Sequence, residues 1–394
     1  MMPLSSLMKT LLTSAIAAVW ISGAVHSASA QTWTLTGAPA SYSWTTIASS
    51  ADGSRLVVGA SASRRLYTST NSGSTWISNS LPAIEWASVA SSANGTFLLA
   101  ASSSGPVYLS TNSGVLWATS NVPAFVWSSA ASSADGSRLA LVQSADHPAI
   151  FVSTNSGASW ASNSVIGMPG STIACSADGQ RLFVLSDGML YRSTNAGTTW
   201  TYLTHVGTLN QNSRVAASAD ASRLAVAFNN DAIYTSTDSG ADWTSNNVPH
   251  LTWRSIASSA DGRKLVAVTL NGGTFSSTNS GITWQSNSVP SASWAAVASS
   301  ADGCKLVAAS SNAGVYKSQT PPAPELSFAS SGSGLDFSWT VPSTNLVLQQ
   351  NPDLANGNWT PVPIAPTLNL ASLQYHVTVL PTNNAGFFRL GSIP

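Results

Sequence analysis

The sequence predicts an all-β chain: a seven-bladed β-propeller closed by its own N-terminal strand, followed by a small C-terminal β-sandwich. Three observations carry this. A Ser-Ala-Asp-Gly marker recurs with its Asp at Asp52, Asp135, Asp178, Asp220, Asp261 and Asp302, with Asn94 standing in once and Ala221 replacing one Gly; the seven positions lie 41 to 43 residues apart, the period of a four-stranded blade. A second motif, Ser69 to Trp76, recurs in copies ending at Trp117, Trp160, Trp200, Trp243 and Trp284. It keeps a Ser, an Asn or Asp two residues on, a Gly after two more, and a Trp three beyond the Gly. The third observation is where the array breaks: after Ser318 the motif is replaced by Gln319-Thr320-Pro321, so the last unit lacks its outer strand, and Gln31-Thr32-Trp33 can supply it.

Taken in order, residues 1–30 read as an export signal: Lys9, an apolar run from Leu11 to Val25, and Ala28-Ser29-Ala30 as the cleavage site, so that the mature chain begins at Gln31. The apolar run is short for a membrane span, and no later stretch qualifies. The propeller occupies 31–320. In its first unit Trp44 to Ser50 forms the innermost strand, Asp52-Gly53 a tight turn, Arg55 to Ala60 the second strand, Leu66 to Ser69 the third, and a strand at Trp76 the fourth. Small residues crowd the inner strand, as they must where sheets converge on an axis. An aromatic position repeats at Tyr67, Tyr108, Phe151, Tyr191, Tyr234, Phe275 and Tyr316, and it reads as core between sheets. Residues 321–325 form a stiff Pro-rich linker. Beyond it, 326–394 alternates as a sandwich should, in Leu335–Trp339, Leu346–Gln349, Tyr375–Val379 and Phe387–Leu390.

Charged residues make up 8% of the chain, with Lys plus Arg equal to Asp plus Glu at 15 each. Such a surface has no electrostatic footprint for nucleic acid or an anionic membrane. Cys175 and Cys304 fall in the fourth and seventh units, too far apart in the ring for a disulfide, so two largely buried thiols are expected.

The motif S-x-[DN]-x-G-x-T-W, seen at Ser69–Trp76, resembles the Asp-box (BNR-like) repeat of sialidases, sortilin-type receptors, some endoglucanases and photosystem II assembly factor propellers. The C-terminal segment, with Leu348-Gln349, Trp359 and a closing Phe387-Phe388-Arg389-Leu390, resembles the short Ig-like modules that end many secreted bacterial proteins. The resemblance places the Asp-box turns on the side away from any active site. Their Asn or Asp is needed to hold the turn, and only Asp238 among the six is an acid. A sialidase also needs a Tyr nucleophile with Glu, an acid Asp, an Arg triad and an Arg-Ile-Pro motif; no Arg-Ile-Pro occurs, and Tyr42, Glu85, Arg214 and Arg254 lack the matching spacing. Asp-box endoglucanases need facing carboxylates, and nothing here supplies a metal-ligand cluster or a nucleophile elbow.

Candidate function therefore lies in residues that break the repeat on the opposite face. Glu85 is the one Glu of the propeller; Asp146-His147 sits in a long loop; Tyr42, His205 and His250 sit between units; Asp187 and Asp231 read as ordinary turn residues. Arg214 and Arg254 replace small residues on two inner strands, where a long cation needs water, an anionic partner or a ligand. Five inner strands open with Trp44, Trp86, Trp127, Trp253 and Trp294, while Gly170 and Asn212 stand at the other two. In ring order this predicts an aromatic crescent suited to sugar rings or apolar side chains, unless the indoles act as wedges between blades. The expectation is an exported, non-catalytic, monomeric propeller binding a protein or glycan partner, with no cofactor or metal. A glycoside hydrolase with a divergent site is the alternative, and an assembly factor for an envelope complex a third reading.

Overall fold

The computed structural model describes residues 32–40, 42–61, 64–144, 149–163, 172–207, 213–320, 326–331, 334–341, 346–352, 358–380 and 387–392. The expected export signal, the Pro-rich linker, Asp146-His147, Gly170 and Asn212 lie outside them. The chain divides into two compact units, Ala30–Pro322 together with Leu370–Leu373, and Ala323–Asn369 with Gln374–Pro394. Strands and turns make up the regular structure, and no helix among the described residues is long and apolar enough to cross a membrane.

The larger unit is a β-propeller built by repetition of one antiparallel sheet. In the first repeat the inner strand Trp44–Ser49 pairs with Leu56–Ala60, which pairs with Leu66–Ser69, which pairs with the two-residue outer strand Ile77–Ser78. Alternation explains the burial. Leu56, Val57 and Val58 are buried on both faces of a central strand, while Ile77 and Ser78 form a short, exposed edge. A bulge between Trp44 and Thr46 kinks the inner strand, and the same bulge recurs at Trp86, Trp127, Trp253 and Trp294. In the sixth repeat an extra strand, Asn229–Asp231, pairs with the inner strand Leu251–Ser258 and ties the fifth repeat to the sixth.

Two devices join the end of the array to its start. The N-terminal strand Trp33–Leu35 pairs with Gly314–Gln319, in the register Trp33 to Ser318 and Leu35 to Tyr316, and so gives the last sheet of the array its outer strand. Trp33 is buried beside Trp294, with ring centroids 6.4 Å apart. Near the axis, the Ala before each marker Asp or Asn donates its N–H to the equivalent carbonyl of the next repeat. Ala51 bonds Ala93, then Ala134, Ala177, Ala219, Ala260 and Ala301 follow in turn, and Ala301 bonds back to Ala51. These seven bonds, 2.6 to 2.8 Å long, form a closed circle.

In the C-terminal unit one sheet holds Ser327–Ser331, Gly334–Thr340, Gln374–Val379 and Thr367–Asn369, and another holds Thr360–Pro361, Leu346–Asn351 and Phe387–Ser392. One buried cluster draws Phe337, Trp339 and Val377 from the first sheet and Leu348 and Phe388 from the second. Arg389 stacks 4.3 Å over the Trp359 ring and donates from Nε to Gln349 Oε1 at 2.9 Å.

Candidate functional site

Antiparallel pairing sorts the loops onto two faces. Hydrogen bonds from Ser72 N–H to Ser54 O, and at the matching places in five more repeats, tie the Ser-Ala-Asp-Gly turns to the Asn-Gly turns on one face. Bonds such as Ser61 to Ser43, Ser103 to Glu85 and Leu270 to Thr252 tie the other loops to the entry of the inner strands on the opposite face.

On the turn face the polar side chains are consumed in holding backbone. Asp52 accepts from Ser50 Oγ and from Ser54 N–H at 2.9 Å, while Ser50 Oγ accepts the N–H of Arg55 at 2.9 Å. Burial alone would raise the Asp52, Asp135 and Asp220 carboxyls, but the Ser hydroxyl and backbone bonds outweigh it and hold each below the ordinary carboxylate value. In the second motif Ser69 Oγ accepts from Gly73 N–H at 3.0 Å and Asn71 Oδ1 accepts from Thr75 N–H at 2.8 Å; Ser72 and Gly73 both have positive φ. Trp76 is half-buried, with Nε1 donating to Gly73 O at 3.1 Å. The basic side chains three residues after the marker Asp reach further than their own turn. Arg138 donates to Asp178 O, Arg181 to Asp220 O and Lys305 to Asp52 O, each at 2.8 to 3.0 Å, stapling one repeat to the turn of the next.

On the axis at this end lies a cavity of about 180 Å³ lined by uncharged small residues such as Ser49, Ser91, Ser132 and Ala217, with Cys175 among them. Neither cysteine forms a disulfide. Burial, with the Asp178 charge adding to it, pushes the Cys175 thiol up to about 12.

The aromatic crescent needs correction. Trp44, Trp86, Trp127, Trp253 and Trp294 are between 0 and 2% exposed, and each meets the repeated aromatic of its own sheet edge-on, as Trp44 meets Tyr67 at 5.5 Å and Trp253 meets Phe275 at 5.3 Å. A ring so enclosed offers no face to a ligand; these indoles are wedges between sheets. In the fifth repeat, where no Trp opens the strand, buried Phe228 meets Tyr234 edge-on at 5.6 Å; in the fourth, Tyr191 meets Tyr202, an exposed residue of the outer strand, at 5.5 Å. Tyr42 packs over Trp44 and shares a hydrogen bond with Tyr67, so it lids this core. His205 is exposed on an outer strand paired with Met189, and Asp187 sits in its turn at a φ of 48°. Glu85 is exposed, with Oε2 accepting from Ser103 Oγ at 3.3 Å.

The fifth and sixth repeats bring several departures together on the loop face. Asp231, read from sequence as a turn residue, is instead buried on the extra strand. Its backbone pairs with Leu251, its carbonyl accepts from Trp253 Nε1 at 3.0 Å, and its Oδ1 lies 3.8 Å from Nδ1 of His250, whose side chain is 67% exposed. Tyr234 Oη donates to Asp231 Oδ2 at 3.4 Å; burial first, and the Asp231 charge second, raise the Tyr234 phenol above its ordinary value. Only a pairing across twenty residues of chain reveals this, which is why local turn chemistry concealed it.

Arg214 opens the inner strand Arg214–Ala217, and Arg254 follows Trp253 within the neighbouring inner strand Leu251–Ser258. At the position of Arg214 other repeats carry hydroxyls that accept the next repeat's N–H: Thr46 from Val89, Ser88 from Ala130, Ser129 from Ile173, Ser255 from Val297. A guanidinium has no acceptor and cannot play that part. Arg214 instead donates from Nη1 to Ser213 O at 2.8 Å. Burial, and then the charge of nearby Arg254, pull it below the ordinary arginine value. Arg254 stands where Thr45 bonds Gly59 O and Trp86 O, yet it makes no side-chain hydrogen bond to a described residue. Neither guanidinium forms an ion pair with a described carboxylate.

Among the described residues no group of three His, Cys, Asp or Glu is placed to hold a metal ion. Repeated sheets, a bonded axis and loops segregated by face define a β-propeller. A family model described as the DUF6242 beta propeller domain matches residues 128–319. No curated protein matches the chain significantly. Among solved structures, YCF48 from Cyanidioschyzon merolae is 13% identical with a TM-score of 0.57, covering 74% of this chain and 99% of its own. A structure of YCF48 bound to D1 peptide is also 13% identical, with a TM-score of 0.56 and coverage of 73% and 97%. The GH74 xyloglucanase from Xanthomonas campestris is 14% identical with a TM-score of 0.58, over 79% of this chain and 59% of that one. At these identities the likeness is one of fold.

Proposed function

We propose that this chain is an exported, non-catalytic, seven-bladed propeller of the Asp-box type, monomeric and carrying a C-terminal Ig-like sandwich, that binds a partner through the face opposite its Asp-box turns. The observation that carries the reading is the division of labour between faces. Turn-face side chains serve the frame, whereas Asp231, His250, Arg214 and Arg254 break the repeat together in one sector of the loop face. A protein partner is favoured over a glycan, because sugar recognition draws on exposed aromatic faces and the five Trp are buried. The solved YCF48 structure bound to a peptide makes the same fold a precedent for peptide binding. Export after Ala30 fits the leader-like sequence of the first thirty residues.

The test is capture of a partner from an envelope extract by immobilised full-length chain. Glu85→Ala with His250→Ala should weaken capture at least tenfold, and Arg138→Ala on the turn face should leave it unchanged. The likeness to a xyloglucanase keeps glycoside hydrolysis as the second reading. Turnover of a polysaccharide or sialoside panel that vanishes in Glu85→Gln would replace the binding proposal with it.

A further inference from the structure

We propose that Arg214 and Arg254 together form a receptor for one carboxylate of the partner, at the entry of the inner strands on the loop face. This rests on the reading of that face as the binding face, and it names the chemistry recognised there. Three features lead to it. First, six of the propeller's other cations have settled roles: Arg55, Arg138, Arg181, Lys264 and Lys305 donate to the carbonyl of the neighbouring turn, and Arg223 to Ser280 Oγ. Among the described residues, the pair at 214 and 254 has none beyond the single bond from Arg214 to Ser213 O. Second, two like charges sit on adjacent strands in a partly enclosed place, an arrangement that costs free energy in the free protein and is relieved by an anion between them. Third, Arg214 takes a position where Thr46, Ser88, Ser129 and Ser255 each accept an N–H of the next repeat, so the frame gives up an inter-repeat bond to accommodate it.

The donors point to the anion: two guanidinium forks match a planar carboxylate, to which they make charge-assisted, bidentate hydrogen bonds. The carboxylate can come from an acidic side chain or from a chain terminus, and the two are separable. The probes are acetyl-Gly-Glu-Gly-amide, with a side-chain carboxylate only; acetyl-Gly-Gly-Gly with a free terminus; and neutral acetyl-Gly-Gln-Gly-amide. Titrations into the ¹⁵N-labelled full chain, followed at the Arg Nε–H resonances, should show saturable shifts with at least one acidic peptide, at least tenfold weaker in Arg254→Gln and in Arg214→Gln and steeply reduced by salt. Thermal melts establish that each variant is folded, and Arg214→Lys, which keeps the charge but loses the fork, should bind with intermediate strength.

Equal binding of the neutral peptide, affinity untouched by Arg254→Gln, or inorganic phosphate binding more tightly than either acidic peptide would overturn the assignment. If the double arginine variant captures the envelope partner as well as the wild type does, the carboxylate receptor fails while the loop-face reading stands. If peptide binding follows the arginines but capture ignores Glu85 and His250, the wider reading fails and the receptor stands.

Discussion

On the turn face Asp135 accepts from Ser133 Oγ at 2.6 Å and from the backbone N–H of Ser137 at 2.9 Å, and every repeat does much the same with its own marker residue. On the loop face Asp231 is buried beside an exposed His250 and a phenol at 3.4 Å, and among the described residues no other repeat copies it. The same side chain thus serves two ends. Repeated, with its oxygens filled by local donors, it fixes a turn. Placed once, with longer contacts to an exposed imidazole and a phenol, it lies in the sector proposed to meet a partner. In a repeat protein the chemistry of a residue type says little; the break in its periodicity says more.

This contrast can be broken or sharpened in order of expected effect. Trp33→Ala removes the indole that seats the closing strand and should cost about 3–5 kcal/mol in urea unfolding, the range for deleting a large buried aromatic. A loss under 1 kcal/mol would mean that the closing strand contributes little. Ser133→Ala leaves the Arg138 N–H without its acceptor and should cost about 1–3 kcal/mol, with no effect on partner binding. The acid limb of stability should come from the turn face. Asp52, Asp135 and Asp220 have folded pKa values below their unfolded ones, so their contribution is complete above about pH 4, the unfolded range, and is lost as pH falls through the lower folded values. Melting temperature against pH should fall on that side, less steeply in Asp135→Asn. His250→Ala should change stability by less than about 0.5 kcal/mol, as an exposed side chain does, while reducing partner capture. Smallest of all, Cys175 should resist alkylation in the native state at pH 8, with its thiol held protonated.

Much of the frame was legible in the residues. The marker spacing located the repeats, the third strand Leu66–Ser69 falls where expected, and the truncation after Ser318 pointed to Trp33, which does pair with that residue. The circle of Ala backbone bonds was not legible, because it lies between repeats and depends on curvature that no single unit encodes. The Arg138-type staples were missed for a related reason: an Arg reads locally as a neighbour of its own Asp, and the carbonyl it bonds is some forty residues away. The Trp residues were visible but ambiguous, since an indole recurring at the head of the inner strand is equally fit for a wedge or a platform, and only burial decides. Of the site, Arg214, Arg254, Glu85 and His250 stood out as departures, whereas Asp231 was hidden by sitting next to Asn229-Asn230, a stretch with every mark of a simple turn.

Hydrogen exchange of the full chain with and without its captured partner tests the division between faces most directly. Protection should appear at residues 229–231 and 250–254 and at the start of the inner strand at Arg214, with the Ser-Ala-Asp-Gly and Asn-Gly turns unchanged. Protection confined to those turns, with exchange at 229–231 and 250–254 unaltered, would contradict it.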